Sequence, residues 1–335
     1  MIVKHRHVIF GGLGFIGQNL ALKLIESNHH VLIVDINRWG LDLVFSKLKD
    51  NPLCKVLQYD IINDQRVIEQ SVLEFDKECE ELIFWHLAAN SDISAGTINI
   101  DIDLNDTFLT TISILDICEK TKCKILYFAS SSAVYGDVQL RNNGYSESCA
   151  TQPISNYGAM KLASEAVIRS AFQRYLDKVL IFRFPNVIGF PATHGVIKDF
   201  ITRLQINPNE LVVLGNGEQN KPYLHVTDLI GAMLHLHEYY SSGEILEVIN
   251  LGSPHENVFV KTIAEAVCSR VSPSAQIIFG STEYGWVGDM PQVKFEIQKL
   301  ISTGWKCKLS GLPAVQLTID QILDGRENDC IPNPA

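Results

Sequence analysis

Three residues near the middle of the chain have types and spacing suited to taking a proton from an alcohol: Ser131, Tyr157 and Lys161. A tyrosine is a poor base in water, with a pKa of about 10. Lys161 stands one helical turn after Tyr157, so in a helix the two share a face, and an ammonium there is expected to lower the pKa of the phenol. Ser131 can hold the same substrate oxygen and steer the proton. A Tyr-x-x-x-Lys spacing alone is weak evidence, because chance matches are frequent in a chain of this length, so position must decide. Here the pair opens a helical pattern with Ala159, Ala163 and Ala166 as a small-residue face. It follows an apolar strand pattern at 125–129 that runs into Ser130, Ser131 and Ser132. The carboxyl end of a strand is where open α/β sheets keep their chemistry.

A second stretch, residues 7–35, supplies the other half of such a reaction. The apolar run Val8, Ile9, Phe10 ends in glycines, a helical pattern follows (Ile16, Leu20, Leu24), and a second apolar run at 31–34 stops at Asp35. That reads as strand, helix and parallel strand. In the spacing Gly11-x-x-Gly14-x-x-Gly17, Gly11 permits a tight turn and Gly14 lets backbone N–H groups approach a pyrophosphate. Gly17 lets the helix pack closely, and that helix, beginning with Phe15 and Ile16, aims its positive end at the anion. Asp35 can accept from both hydroxyls of a ribose and would repel a 2'-phosphate, so NAD is expected rather than NADP, although Arg38 follows closely. With NAD in place, its positive nicotinamide ring adds to the charge of Lys161, which can also bond the nicotinamide ribose. Tyr157 would then remove an alcohol proton while hydride leaves the carbon.

Further elements follow in order. Residues 55–60 read as a third strand ending in Asp60 and Ile61, a pair able to hold an adenine edge, although an aspartate starting a loop is an equally ordinary cap. After a polar helix at 64–80, the nearly all-apolar strand at 82–89 ends in Leu87, Ala88 and Ala89, small enough to let something flat pass. His86 inside it is expected to be a satisfied core histidine. A helical stripe of Ile100, Leu104, Phe108, Ile112 and Leu115 spans 99–120, with Asn105 near its start. A sixth strand at 179–184 ends in Pro185 and Asn186. Beyond Phe190 the elements shorten: helices at 196–204 and 227–237, strands at 211–214 and 248–251, and a glycine-rich turn at 215–221. The fold class expected is α/β, a Rossmann-type doubly wound parallel sheet with a smaller C-terminal α/β substrate lobe. The NAD-binding domain is expected at 1–185, rejoined by about 225–252, and the substrate lobe at 186–224 and 253–330.

Composition bounds the partners. At 335 residues and 46% hydrophobic content the chain can bury a large core, and its net charge of −10 argues against a nucleic-acid backbone as partner. The longest apolar runs are too short to cross a bilayer, and no stretch near Met1 reads as a signal peptide. A soluble, cytoplasmic protein is expected. The eight cysteines are scattered with no C-x-x-C pair, so buried free thiols are expected, with no metal and no disulfide. His235 and His237, two apart on a helix, point to different faces and are read as structural.

Together these residues resemble the extended short-chain dehydrogenase/reductase family, particularly nucleotide-sugar epimerases of the UDP-galactose 4-epimerase type. The likeness runs through the glycine turn, Asp35, Asp60-Ile61, His86 to Ala89, Asn105, Ser130 to Gly136, Tyr157 to Lys161 and Arg183 to Asn186. It continues in Gly215-x-Gly-x-Gln219-x-Lys221 and in Tyr223 to Asp228, similar to the segment that grips the nucleotide diphosphate. The resemblance implies tightly held NAD, Ser131 and Tyr157 as catalytic pair and Lys161 as orienting cation. It implies Ser132, Asn186, Val196, Lys221 and Tyr223 near a nucleotide-diphosphate sugar, and a homodimer through the helices at 99–120 and 157–175. Two departures stand out. Lys221 replaces the usual arginine and cannot offer its bidentate fork, and Trp286 and Val287 stand where an arginine often precedes Gly288-Asp289.

Related 4,6-dehydratases and decarboxylases carry an acid after the catalytic hydroxyl, and here Ser132 and Ala133 follow it. The reaction expected is therefore epimerisation: oxidation of the sugar C4 hydroxyl to a transient 4-keto sugar and return of hydride to the opposite face. The alternatives are a 4-ketoreductase that consumes NAD(P)H on the same scaffold and, in a different class, a non-catalytic NAD-sensing protein.

Overall fold

The computed structural model describes residues 5–36, 43–76, 81–136, 144–254, 257–283, 285, 293–309 and 311–327. Arg38 and the stretch from Trp286 to Asp289 lie outside them. The strands are β1 Arg6–Phe10, β2 His30–Asp35, β3 Cys54–Gln58, β4 Leu82–His86, β5 Ile125–Ser131, β6 Lys178–Phe184, β7 Asn186–Ile188, β8 Glu210–Val213, β9 Asn220–Lys221, β10 Tyr223–His225, β11 Ile245–Asn250, β12 Val258–Phe259 and β13 Gln276–Phe279. The helices are α1 Phe15–Glu26, α2 Leu43–Lys49, α3 Gln65–Phe75, α4 Ile93–Ile98, α5 Ile100–Asp103, α6 Thr110–Thr121, α7 Asn156–Phe172, α8 Val196–Ile206, α9 Val226–Tyr239, α10 Val260–Val271, α11 Gln298–Ser302 and α12 Gly311–Glu327. Among the described residues no helix is long and apolar enough to cross a membrane.

The chain divides into two compact units. The first comprises Met1–Val138, Cys149–Phe184 and Met233–Ile249. It is built on a seven-stranded sheet of order β11-β6-β5-β4-β1-β2-β3, parallel in every pairing from β6 through β3. This is the doubly wound Rossmann arrangement, and the strand order reverses between β1 and β4, the place where such sheets bind ligands. Both faces are covered, which is why β1, β2, β4, β5 and β6 are almost wholly buried and read as unbroken apolar runs. Helix α1 buries Gly17, Leu20, Ala21, Leu24 and Ile25, one stripe at helical spacing. It stops where Asn28 takes a left-handed φ of 63°, a conformation a short polar side chain tolerates.

The helix expected at 99–120 is broken into α5, a π-helical turn at Leu104–Leu109 and α6. Two of the other sequence-based boundaries shift at the carboxyl ends that matter. β4 ends at His86, leaving Leu87 to Ala89 outside the strand, and β5 runs on through Ser131.

The second unit comprises Gln139–Ser148, Pro185–Ala232 and Asn250–Ala335. Among its described residues β7 pairs with β10, β8 with β13 and β9 with β12. Its core joins α8, α10 and α12 through Phe200, Ile201, Leu204, Ile263, Val267, Val315 and Ile319.

Candidate active site

The glycine turn is shaped by close approach. Gly11 has a φ of +79°, and a Cβ there would stand 2.6 Å from the backbone nitrogen of Ala88, so the turn and the chain leaving β4 touch backbone to backbone. A Cβ on Gly17 would lie 2.5 Å from the carbonyl oxygen of Gly11, which makes its packing partner the turn itself. Gly14 caps α1 without any side-chain hydrogen bond, so the first-turn N–H groups, those of Phe15 and Ile16 included, are left for a ligand. Asp35 is buried, and its Oδ2 accepts from the backbone N–H of Leu13 at 2.9 Å, tying the strand end to the turn.

Asp60 follows β3 as a cap: Oδ1 accepts from the N–H of Ile62 at 2.8 Å, and Oδ2 accepts from the Asn63 amide at 2.5 Å. Ile61 is buried behind it. Leu87, Ala88 and Ala89 are half-buried at the end of β4. Asn105 is exposed on the π-helical turn, where its amide donates to the Asp101 carbonyl at 2.7 Å.

The serine strand and α7 are brought together by a second glycine contact. A Cβ on Gly158 would stand 2.5 Å from the carbonyl oxygen of Ala133, so the first turn of α7 lies directly on the short turn Ser132–Val134. Ser155 caps α7 by accepting from the Gly158 N–H at 3.1 Å. Tyr157 is thereby set close enough to Ser131 for the hydroxyl to act on the phenol. Lys161 donates to the Ala129 carbonyl at 2.7 Å and stands 4.8 Å from the Phe128 ring centre and 5.7 Å from that of Tyr157. All three catalytic candidates therefore meet at the carboxyl end of β5.

Sequence reading missed what lies beneath them. Glu165 and Arg183 form a buried bidentate pair, Nη2 to Oε2 at 2.7 Å and Nε to Oε1 at 2.9 Å. Ser130 donates to Glu165 Oε1 at 2.6 Å, and Arg183 donates to Tyr135 Oη at 3.0 Å. The available signal was spacing, since Glu165 lies one further turn along the face that carries Tyr157 and Lys161. Asp103 was missed as well. It is 0% exposed, Oδ1 accepts from the Asn90 amide at 2.8 Å, and Oδ2 has no hydrogen-bond partner. His86 is satisfied on one side only: Nε2 contacts Thr111 Oγ1 at 2.8 Å while Nδ1 has no partner.

Burial decides the charges. Among the protein groups alone, loss of water pushes the Tyr157 phenol up, against the fall expected from Lys161 and the nicotinamide ring together. The neighbouring Ser131 hydroxyl pulls it down and the Asp103 carboxylate pushes it further up. Lys161 instead falls to about 7, because burial outweighs the pull of Glu165. Lys161 is 2% exposed, and a desolvated ammonium sheds its proton and with it the lever on the phenol.

The consequence for stability has a definite sign. Unfolded Lys161 keeps its proton up to its ordinary 10.5 and the folded residue releases it near 7, so its contribution to stability is least below 7 and grows with pH across that window. We expect Lys161→Met to exceed the wild type in stability at pH 6 by about 1–4 kcal/mol, as removal of a buried charge often does. The margin should shrink toward pH 10. Denaturant melts at pH 6, 8 and 10 check this, and a constant difference would refute it.

In the second unit, Asn186 pairs with Tyr223 in the β7–β10 ladder, and Lys221 pairs with Val258. Val196 opens α8 directly after Gly195, whose φ is +110°. Asp228 in the Tyr223–Asp228 motif accepts from the backbone N–H groups of Lys308 at 3.1 Å and Leu309 at 2.6 Å, an internal anchor.

Residues 7–252, most of the chain and all of the glycine turn, Ser131, Tyr157 and Lys161, match the model of the NAD dependent epimerase/dehydratase family. The chain belongs to that family. A Methanocaldococcus jannaschii protein provisionally named a UDP-glucose 4-epimerase is 28% identical over 304 residues, covering 89% of this chain and 92% of its own. A UDP-N-acetyl-alpha-D-glucosaminuronate decarboxylase of Bacillus cytotoxicus is 30% identical over 287 residues, 82% of this chain and 83% of its own. A crystal structure of a UDP-galactose 4-epimerase superposes with a TM-score of 0.79 at 28% identity, covering 95% of this chain and 99% of that one. The protein is therefore an NAD-dependent enzyme, and its own residues fit the cofactor: a turn that no Cβ can enter, an uncapped helix start and a strand-end acid.

Proposed function

We propose that this enzyme is a nucleotide-sugar 4-epimerase. The observation that carries the reading is the placement of Tyr157 beside Ser131, which is followed by Ser132 and Ala133, with no acid in the turn Ser132–Val134. The carboxylate that does act on Tyr157, Asp103, is fully buried and held by Asn90. Elimination and decarboxylation, which in the resembling enzymes use an acid after the catalytic hydroxyl, are not provided for.

In this reading Gly11, Gly14, Phe15, Ile16 and Gly17 hold the pyrophosphate of NAD, and Asp35 the adenosine ribose. Asp60, Ile61, Leu87, Ala88, Ala89 and Asn105 flank the dinucleotide, and Tyr157 and Lys161 border its nicotinamide end. Bound NAD supplies a two-electron acceptor that takes hydrogen from the sugar C4 and gives it back. Tyr157 takes the C4 hydroxyl proton, Ser131 holds that oxygen, and the same phenol returns the proton once the 4-keto sugar has turned over. Ser132, Asn186, Val196, Lys221 and Tyr223 contact the nucleotide-diphosphate sugar, Lys221 as a point charge toward phosphate. Homodimerisation through α6 and α7 belongs to the same proposal, with Ile112 an exposed apolar residue on α6 that such a contact would cover.

The test is to assay the purified protein against pairs of C4-epimeric nucleotide sugars, starting with UDP-glucose and UDP-galactose, with no added NADH. Interconversion without reductant supports the proposal. Turnover only with NADH identifies a ketoreductase, and loss of water or carbon dioxide identifies the family's other reactions.

A further inference from the structure

The end of the sheet opposite the chemistry carries an unusual gathering of imidazoles. His5 precedes β1, His29 precedes β2 and Glu81 precedes β4, all at the amino ends of strands in the parallel sheet whose opposite edge bears the glycine turn after β1 and the serines at the end of β5. His237, near the end of α9, joins them. His5 Nδ1 lies 2.9 Å from Glu81 Oε2, and the rings of His5 and His237 stand edge to face with centres 5.6 Å apart. One donor atom from each of His5, Glu81 and His237 lies within 4.8 Å of the other two.

We propose that His5, Glu81 and His237 form a binding site for one zinc ion, remote from the active site. Two imidazoles and one carboxylate, with a fourth position left for water, form a donor set that zinc favours. Tetrahedral zinc with bonds of about 2.0–2.1 Å needs donors roughly 3.3 Å apart. The 2.9 Å contact and the 4.8 Å limit bracket that spacing, so side-chain rotation alone can complete it.

The surroundings support a ligand here. His237 Nδ1 is 2.8 Å from the hydroxyl of buried Tyr127. In the tautomer that donates Nδ1–H to Tyr127, Nε2 presents its lone pair, the outer bond that orients metal-binding histidines. His7, 1% exposed, packs against the cluster with ring centres 6.2 Å from His5 and 6.3 Å from His237. Its Nδ1 accepts from the indole of Trp85 at 3.0 Å, which leaves the proton on Nε2, and that atom is buried with no partner. A metal-bound water is an acceptor of the kind it lacks. His29 Nδ1, its ring centre 5.0 Å from that of His7, is also buried without a partner. Lys178, held by the Ser241 carbonyl at 3.0 Å, also acts on Glu81 and opposes a cation, and the Glu81 carboxylate offsets it. An ion at this place would clamp the starts of β1 and β4 to the end of α9, three segments distant in sequence.

The full chain, freed of any affinity tag and stripped with chelator, should be titrated with zinc chloride at pH 7.5 against a chromophoric chelator. We expect one zinc per chain at micromolar affinity or tighter, with a rise in melting temperature. His5→Asn and Glu81→Gln should each weaken binding at least tenfold and abolish that rise, while leaving sugar turnover unchanged. His5 is half-buried ahead of β1, so its replacement is expected to fold. Should either variant fail to do so, cobalt(II) in the wild type decides: visible bands of four-coordinate intensity support the site. Absence of stoichiometric zinc, zinc held equally by both variants, or six-coordinate cobalt alone would overturn it.

Discussion

Tyr157→Phe is expected to reduce turnover by roughly 10²–10⁴-fold, the worth of a positioned general base, while the Michaelis constant for the sugar nucleotide changes little. The substitution removes one oxygen and keeps the ring that packs near Lys161. Its partner Ser131 retains the Ala133 N–H as donor at 3.2 Å, so stability should stay within about 1 kcal/mol of wild type. A selective loss in the rate constant would mean that the phenol acts in the transition state and not in ground-state binding. Because burial holds the phenol above its ordinary range, wild-type turnover should climb as pH rises above neutral. The residual rate of the variant should stay flat over the same range. Steady-state rates from pH 6 to 9, on protein whose released NAD matches wild type, make the measurement. A variant that keeps more than half of its turnover would remove Tyr157 from the mechanism.

The parts of this protein that were legible in sequence are those fixed by local pattern. Gly11, Gly14 and Gly17 between two apolar runs already announce a turn that a side chain would block, and the contacts with Ala88 and with the turn itself are the physical content of that signal. The Ser131, Tyr157 and Lys161 grouping was readable because helical spacing and a strand end place all three. What stayed hidden depends on burial and on distant partners. Nothing local says that Lys161 loses its water, and so its pull on the Tyr157 phenol was overrated. Asp103 looked like one acid among several at the start of a helix, yet it is enclosed between Asn90 and Gly96 and acts on Tyr157. His5, His7 and His29 are separated from Glu81 and His237 by long stretches of chain, and the parallel register of β1, β2 and β4 is what brings the three histidines and Glu81 to one edge. The π-helical turn at Leu104–Leu109 left the apolar stripe legible and its local geometry illegible, since one inserted residue alters the hydrogen bonds but not the buried face.

Glu165→Ala should cost about 3–5 kcal/mol of stability, the largest loss we expect from one side chain outside the apolar core. The alanine would leave the Arg183 guanidinium buried without its carboxylate, with Tyr135 Oη still 3.0 Å away, and would deprive Ser130 of its acceptor. The attraction within the Glu165–Arg183 pair is largely offset by the desolvation of both ions, so what the single variant exposes is the uncompensated charge. The double variant Glu165→Leu with Arg183→Met should therefore be closer to wild type than Glu165→Ala alone, a strongly non-additive cycle. Equilibrium denaturation of Glu165→Leu, Arg183→Met and the double variant measures the cycle, with Glu165→Ala alongside. If the double variant instead falls by the sum of the singles, the pair is not an isolated ionic unit, and hydrogen bonds to Ser130 and Tyr135 hold this layer together. That result would also place Ser131 under their control, because Ser130 and Ser131 lie on consecutive rungs of the ladder with Arg183 and Phe184. A shift of Ser131 by a fraction of an ångström would then appear as lost turnover at temperatures where the variant is still folded.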